Sequence, residues 1–111
     1  MDLYNELNNL ISKLDVSVKS LRKTGSEYAK AYTDYRVALA KELVRLKDDG
    51  MAVTIAYDVA RGKPEIAKLK FNEIANEAVY KANLESINAV KLQIKIIQNQ
   101  IDKEYSSDLP N

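Results

Sequence analysis

Residues 49–65 read Asp49-Gly50-Met51-Ala52-Val53-Thr54-Ile55-Ala56-Tyr57-Asp58-Val59-Ala60-Arg61-Gly62-Lys63-Pro64-Glu65. Long helix-like segments flank this stretch, so the fold turns on whether it is a corner or a site. Gly50 after Asp48-Asp49 suits the left-handed residue that ends a helix. Thr54 is an N-cap type, and the spacing predicts a short helix over 55–60 with Gly62 as its stop. Pro64 fits the first turn of a further helix, where its missing N–H costs nothing, and Glu65 complements the dipole there. Read this way, 49–63 is a corner between two arms.

The competing reading is a phosphate loop at Gly62-Lys63. Such a loop needs Gly-x-x-x-x-Gly-Lys-Ser/Thr, so that glycine amides wrap the phosphates and a hydroxyl reaches the metal. Here Tyr57 stands at the first Gly and Pro64 at the Ser/Thr. A helix–turn–helix DNA reader fits no better. It needs a small residue where its helices cross, and Asp58 stands there, with Lys68 where an apolar residue should lock the second helix.

Outward from the corner, the first arm (2–48) carries Leu3, Leu7, Leu10, Leu14, Val18 and Leu21 at spacings of three and four. After the polar run 22–27 the stripe resumes as Tyr28, Tyr32, Tyr35, Leu39, Leu43 and Leu46. This predicts an amphipathic helix that breaks or kinks near Gly25, with Ser26 capping the renewed helix, the alternative being a continuous helix with Gly25 as a tolerated weak point. The polar middle, 17–26, is expected to be its least tightly held part. In the second arm (64–105), Ile87, Val90, Ile94, Ile97, Ile101 and Tyr105 approach a heptad seam. At 1.5 Å per residue that helix would be about 60 Å long. Residues 106–111 are expected to fray. The fold expected is all-α: a single domain built as an elongated, coiled-coil-like antiparallel helical hairpin. Pairing Leu46 with Glu65 places Leu10 opposite Ile101 and Tyr28 opposite Asn83. Stripes wider than one partner covers predict dimerisation into a helical bundle.

Composition agrees and excludes much chemistry. Apolar residues make up 46% with three Gly and two Pro, enough to order a helical chain. Cysteine and histidine are absent, which removes disulfides, thiol nucleophiles, His-based triads and the usual zinc sites. The net charge of +1 gives little global steering towards nucleic acid. The N-terminal residues carry no signal-peptide pattern, and no apolar run approaches the roughly 18 residues of a membrane span. Glu73 and Glu77 share a helix face, but a di-metal carboxylate bundle also needs Glu-x-x-His. The default is a solvated ion-pair face with Lys81. We therefore expect a cytoplasmic, non-enzymatic protein with no cofactor and no metal.

Two binding surfaces remain. The corner presents Tyr57, Asp58, Arg61 and Lys63 as a protein contact, against the plainer reading that Tyr57 packs inward and Asp58 pairs with Arg61. A single-stranded nucleic-acid accessory would instead use Arg22, Lys23, Tyr28, Tyr32, Tyr35, Arg36, Arg45 and Lys68, with tyrosines stacking bases. Tyrosines at this spacing also serve as helix–helix contacts.

Several pieces together, Tyr35-Arg36-Val37-Ala38-Leu39-Ala40-Lys41, Gly50, Val53-Thr54, Asp58-x-Ala60-Arg61-Gly62, Ile66-Ala67-x-Leu69-Lys70, Ala75, Ala78, Tyr80, Ala82, Ile87, Lys91-Leu92-x-Ile94-Lys95 and Gln100-Ile101, resemble small helical proteins of phages and prophages of Gram-positive bacteria. The resemblance covers about residues 28–105. It implies a phage protein in the host cytoplasm, its gene near replication and recombination functions, and it carries over no catalytic residue. The chain departs from the group at Glu104-Tyr105, where a Trp is expected, and at Lys63, where an acidic or small polar residue is commoner. Secreted helical hairpins with Trp-x-Gly at the turn are a poorer comparison, since this chain has no Trp. The function expected is a non-enzymatic accessory that binds a phage or host protein of replication, recombination or host-defence machinery. An inhibitor of a bacterial defence enzyme is a variant of the same reading.

Overall fold

The computed structural model describes residues 2–107. These form three α-helices: α1 (Leu3–Asp48), α2 (Val53–Gly62) and α3 (Pro64–Ser107), with no strand among the described residues. The second arm thus runs two residues past Tyr105. Of the tail expected to fray, Ser106 and Ser107 are helical, and 108–111 lie outside the described residues.

Asp2 caps α1: its Oδ1 accepts the Tyr4 backbone N–H at 2.9 Å. The expected break at Gly25 is absent, and α1 is helical through it. A Cβ at Gly25 would lie 3.4 Å from Tyr80 Cε1. That is ordinary van der Waals contact, so the Tyr80 ring lies against the helix at Gly25 without requiring a glycine there.

The end of α1 is a Schellman motif. Gly50 has φ +89°, its N–H donates to Lys47 O at 2.9 Å, and Met51 N–H donates to Leu46 O at 3.1 Å. Met51 packs on the cluster that contains Leu46, the apolar contact that accompanies this motif.

At α2 the expected cap is wrong. The helix begins at Val53 with Ala52 as N-cap, and no side chain caps it. The Ala52 carbonyl takes the Ala56 N–H at 2.8 Å. Thr54 is already inside the first turn, because burial of Ala56 and Ala60, both 0% exposed, sets the start of the helix and overrides a cap preference of about 1 kcal/mol. The helix stops at Gly62 without a left-handed residue. Lys63 is extended, at φ −65° and ψ 135°, as the residue before a proline tends to be. Its carbonyl then accepts the Ala67 N–H and opens α3.

Contacts divide the chain into two compact units, Thr24–Tyr80 and Met1–Lys23 with Lys81–Asn111. In the first, Tyr35, Leu39, Leu46, Ala56, Ala60 and Ile66 form the core, with Ala38, Leu43, Met51 and Leu69 against it. Its α1 and α3 partners run in antiparallel order. Tyr28 meets Glu77 and Tyr80, Tyr35 meets Lys70, and Glu42 meets Lys63. The register expected from Leu46 opposite Glu65 is therefore corrected: α2 fills the space beneath Leu46, so α3 starts beside Glu42. Tyr32 is 45% exposed, and its inward place is taken by Ala31.

In the second unit Ile87, Val90 and Ile97 are buried, with Leu3, Leu7, Leu10, Leu14, Leu84, Ile94 and Ile101 half-buried. The α3 seam is as expected except at Tyr105, which is exposed. Leu10 lines a groove with Ile97 and Gln100. Val18 is exposed too. Ser17 takes its inward place, and its carbonyl accepts the Asn83 side-chain amide at 3.0 Å.

Candidate functional site

The only side chains that α2 buries are its two alanines, Ala56 and Ala60. Val53, Ile55, Tyr57 and Val59 all stay exposed, by 39% to 57%. The helical period places Tyr57 and Arg61 on one flank of the alanine seam and Ile55 and Val59 on the other. The Tyr57–Arg61 flank opens onto a groove of about 390 Å³ lined by Tyr35, Arg36, Leu39, Ala40, Leu43 and Lys70.

The corner residues have separate roles. Arg61 does not pair with Asp58. Its Cζ lies 5.0 Å from the Tyr57 ring centroid, a cation–π contact worth about 0.5–1 kcal/mol at an exposed site. Tyr57 is 39% exposed, so it neither packs fully inward nor stands free. Asp58 is exposed. Lys63 is committed elsewhere, its Nζ 2.7 Å from Glu42 Oε1.

Glu42 also accepts Arg45 Nη2 at 2.6 Å on the same oxygen. Arg45 reaches Asp49 as well, at 3.3 Å. The hydrogen bonds from Arg45 and then Lys63 hold the Glu42 carboxyl at about 2, against an ordinary 4.5. With the folded value depressed, the stability tied to charged Glu42 is fully present above about pH 4.5 and is lost as pH falls through 2. Thermal melts across that window should show a steep acid limb in the native chain and a flatter one in Glu42→Gln. Identical limbs would mean that the pair does not hold the junction.

Of the pair Glu73 and Glu77, Glu73 does not belong to a solvated face. Glu73 is only 6% exposed and accepts Lys70 Nζ at 2.9 Å. Glu77 accepts the Tyr28 hydroxyl at 3.2 Å. Sequence periodicity marked Glu73 as outward because it cannot see α1 lying over this stretch of α3. The Glu73 hydrogen bond raises the Lys70 pKa. Lys70 Nζ also sits 4.8 Å from the Tyr35 ring centroid.

Of the residues grouped for nucleic-acid stacking, Tyr28 lies against Tyr80, with centroids 5.8 Å apart, and Tyr35 is 8% exposed. Only Tyr32 keeps an open ring. Arg45 is held by Glu42 and Asp49, Lys68 is exposed, and Arg22 and Lys23 belong to the other unit. Among the described residues, no three His, Cys, Asp or Glu side chains are placed to hold a metal ion. No described helix is long and apolar enough to cross a membrane.

No protein-family model matches the chain, and no curated protein or solved structure is significantly similar to it.

Proposed function

We propose that this chain is a non-enzymatic accessory that acts by binding another protein, with α2 as the contact. One observation carries the reading: a ten-residue helix buries only its alanines and shows all four of its larger apolar side chains. Fully burying one such side chain stabilises an assembly by about 1.5–3 kcal/mol, so a partner that covers α2 gains what the monomer forgoes. The resemblance of residues 28–105 to phage-borne helical proteins supports a partner in replication, recombination or host-defence machinery of a bacterial cytoplasm. Inhibition of a defence enzyme is one form such binding would take.

The test is affinity capture from a Gram-positive host lysate with the native chain and with Ile55→Ser/Val59→Ser. A partner held by the first and lost by the second, at equal helicity, is the expected result. Equal capture by both would remove α2 as the contact.

The same reading takes the antiparallel contacts of each unit as stretches of one hairpin. Phe71, Ile74, Leu92 and Ile96, all exposed, are then among the side chains a second copy would cover. Sedimentation showing a stable monomer at micromolar concentration would end the dimer proposal.

A further inference from the structure

Three cations face the groove between α1, α2 and α3: Arg36, Arg61 and Lys70. Lys70 is matched by Glu73. Arg61 rests on an aromatic ring, and no carboxylate within bonding distance neutralises it or Arg36 among the described residues. The nearest acidic neighbours in sequence do not fill this role. Asp34 is paired with Lys30, Glu42 with Arg45 and Lys63, and Asp58 makes no ion pair with Arg61 one turn away. Leu39, Ala40 and Leu43 give the same groove an apolar side.

We infer that this groove binds an acidic, leucine-bearing segment of the partner protein, its carboxylates on Arg36 and Arg61 and its aliphatic side chains on Leu39 and Leu43. The inference rests on the protein-binding reading above and names the chemistry of the partner. Guanidinium groups present a planar fork that matches a carboxylate with two parallel hydrogen bonds. The charge left over in the groove is positive, so an acidic segment is the complementary occupant. A nucleic-acid strand fits less well. Its bases need open aromatic faces, and here Lys70 already covers Tyr35 and Arg61 already covers Tyr57.

The experiment is fluorescence anisotropy with the full chain and a short labelled peptide of repeating Glu-Leu-Leu-Glu, beside the same peptide with Gln for Glu and a labelled oligo-dT. The Glu peptide should bind. Arg36→Gln and Arg61→Gln should each weaken it about tenfold, the typical worth of one charged hydrogen-bonded contact. The Gln peptide should bind as weakly to the native chain as the Glu peptide does to the double variant. No binding of the Glu peptide at millimolar concentration, or no loss in the variants, overturns the inference. Tighter binding of oligo-dT through the same arginines also overturns it and assigns the groove to nucleic acid.

Circular dichroism checks folding. Should the Gln variants lose helicity, Arg36→Lys/Arg61→Lys decides: it keeps the charge and loses the fork, so weakened binding supports the inference and unchanged binding overturns it. A lysate partner still captured by Arg36→Gln/Arg61→Gln but lost with Ile55→Ser/Val59→Ser leaves the protein-binding reading standing and removes only the groove.

Discussion

Leu46→Ala is expected to destabilise the chain by about 2–5 kcal/mol, the range for truncating a buried leucine that leaves a partly collapsed cavity. Leu46 is 5% exposed and shares its cluster with Ala56, Ala60 and Ile66, so one side chain joins all three helices. It also carries the carbonyl that takes the Met51 N–H in the Schellman motif, and Met51 packs on the same cluster. Truncation therefore loosens the end of α1 and the seat of α2 together. For a chain of this size the loss corresponds to a fall in Tm of about 10 °C or more. Val44→Ala is the internal control. Val44 lies two residues away at 59% exposure and should stay within about 0.5 kcal/mol of the parent. Thermal melts followed by circular dichroism would compare the two. A similar shift for both would show that the cluster around Leu46 is not the keystone of this unit.

The features legible in the sequence are those set by a few consecutive residues. Gly50 announced a left-handed helix end, Gly62 and Pro64 announced a stop and a start, and the isoleucines of α3 announced a seam. Each is fixed by local sterics or by a 3.6-residue period, and neither needs knowledge of a partner helix. What stayed hidden depends on residues far away in the chain. Gly25 reads as a break until the Tyr80 ring is known to lie against it. Thr54 reads as a cap until Ala56 and Ala60 are known to be the only fully buried side chains of α2. Glu73 reads as solvated until α1 is placed over it, and Ser17 reads as a weak point until its carbonyl is found holding Asn83. At the candidate site, Tyr57 and Arg61 were visible as residues of the corner. Their groove with Arg36, Leu39 and Lys70 was not, because the register between α1 and α3 is set by the bulk of α2 and not by pairing the nearest apolar residues. One signal was available: alanines at 56 and 60, four apart, mark a helix that comes close to its neighbours, and small residues there were worth more weight than the polar cap beside them.

That close approach makes Ala60→Leu the sharper test of how the corner works. Ala60 has no exposed surface and shares its buried cluster with Tyr35, Leu39, Leu46, Ala56 and Ile66. Adding three heavy atoms forces either the helix or its neighbours to move, at a cost of about 1–3 kcal/mol. Tyr28 on Glu77 and Tyr80 lies outside the cluster that holds Ala60. Unit Thr24–Tyr80 should therefore keep α1 and α3 paired while α2 lifts off. Hydrogen exchange should then lose protection over 53–62 and retain it over 28–40, with most of the far-ultraviolet helicity intact. Because the Tyr57–Arg61 flank leaves the groove with α2, the Glu-bearing peptide should bind at least about tenfold more weakly, although no residue that touches it has changed. Thr54→Ala should do none of this, since no side chain caps α2. If Ala60→Leu instead unfolded α1 and α3 along with α2, the corner would be the nucleus on which this unit depends. A displaced helix that left peptide binding intact would mean that Arg36 and Lys70 bind it without Arg61.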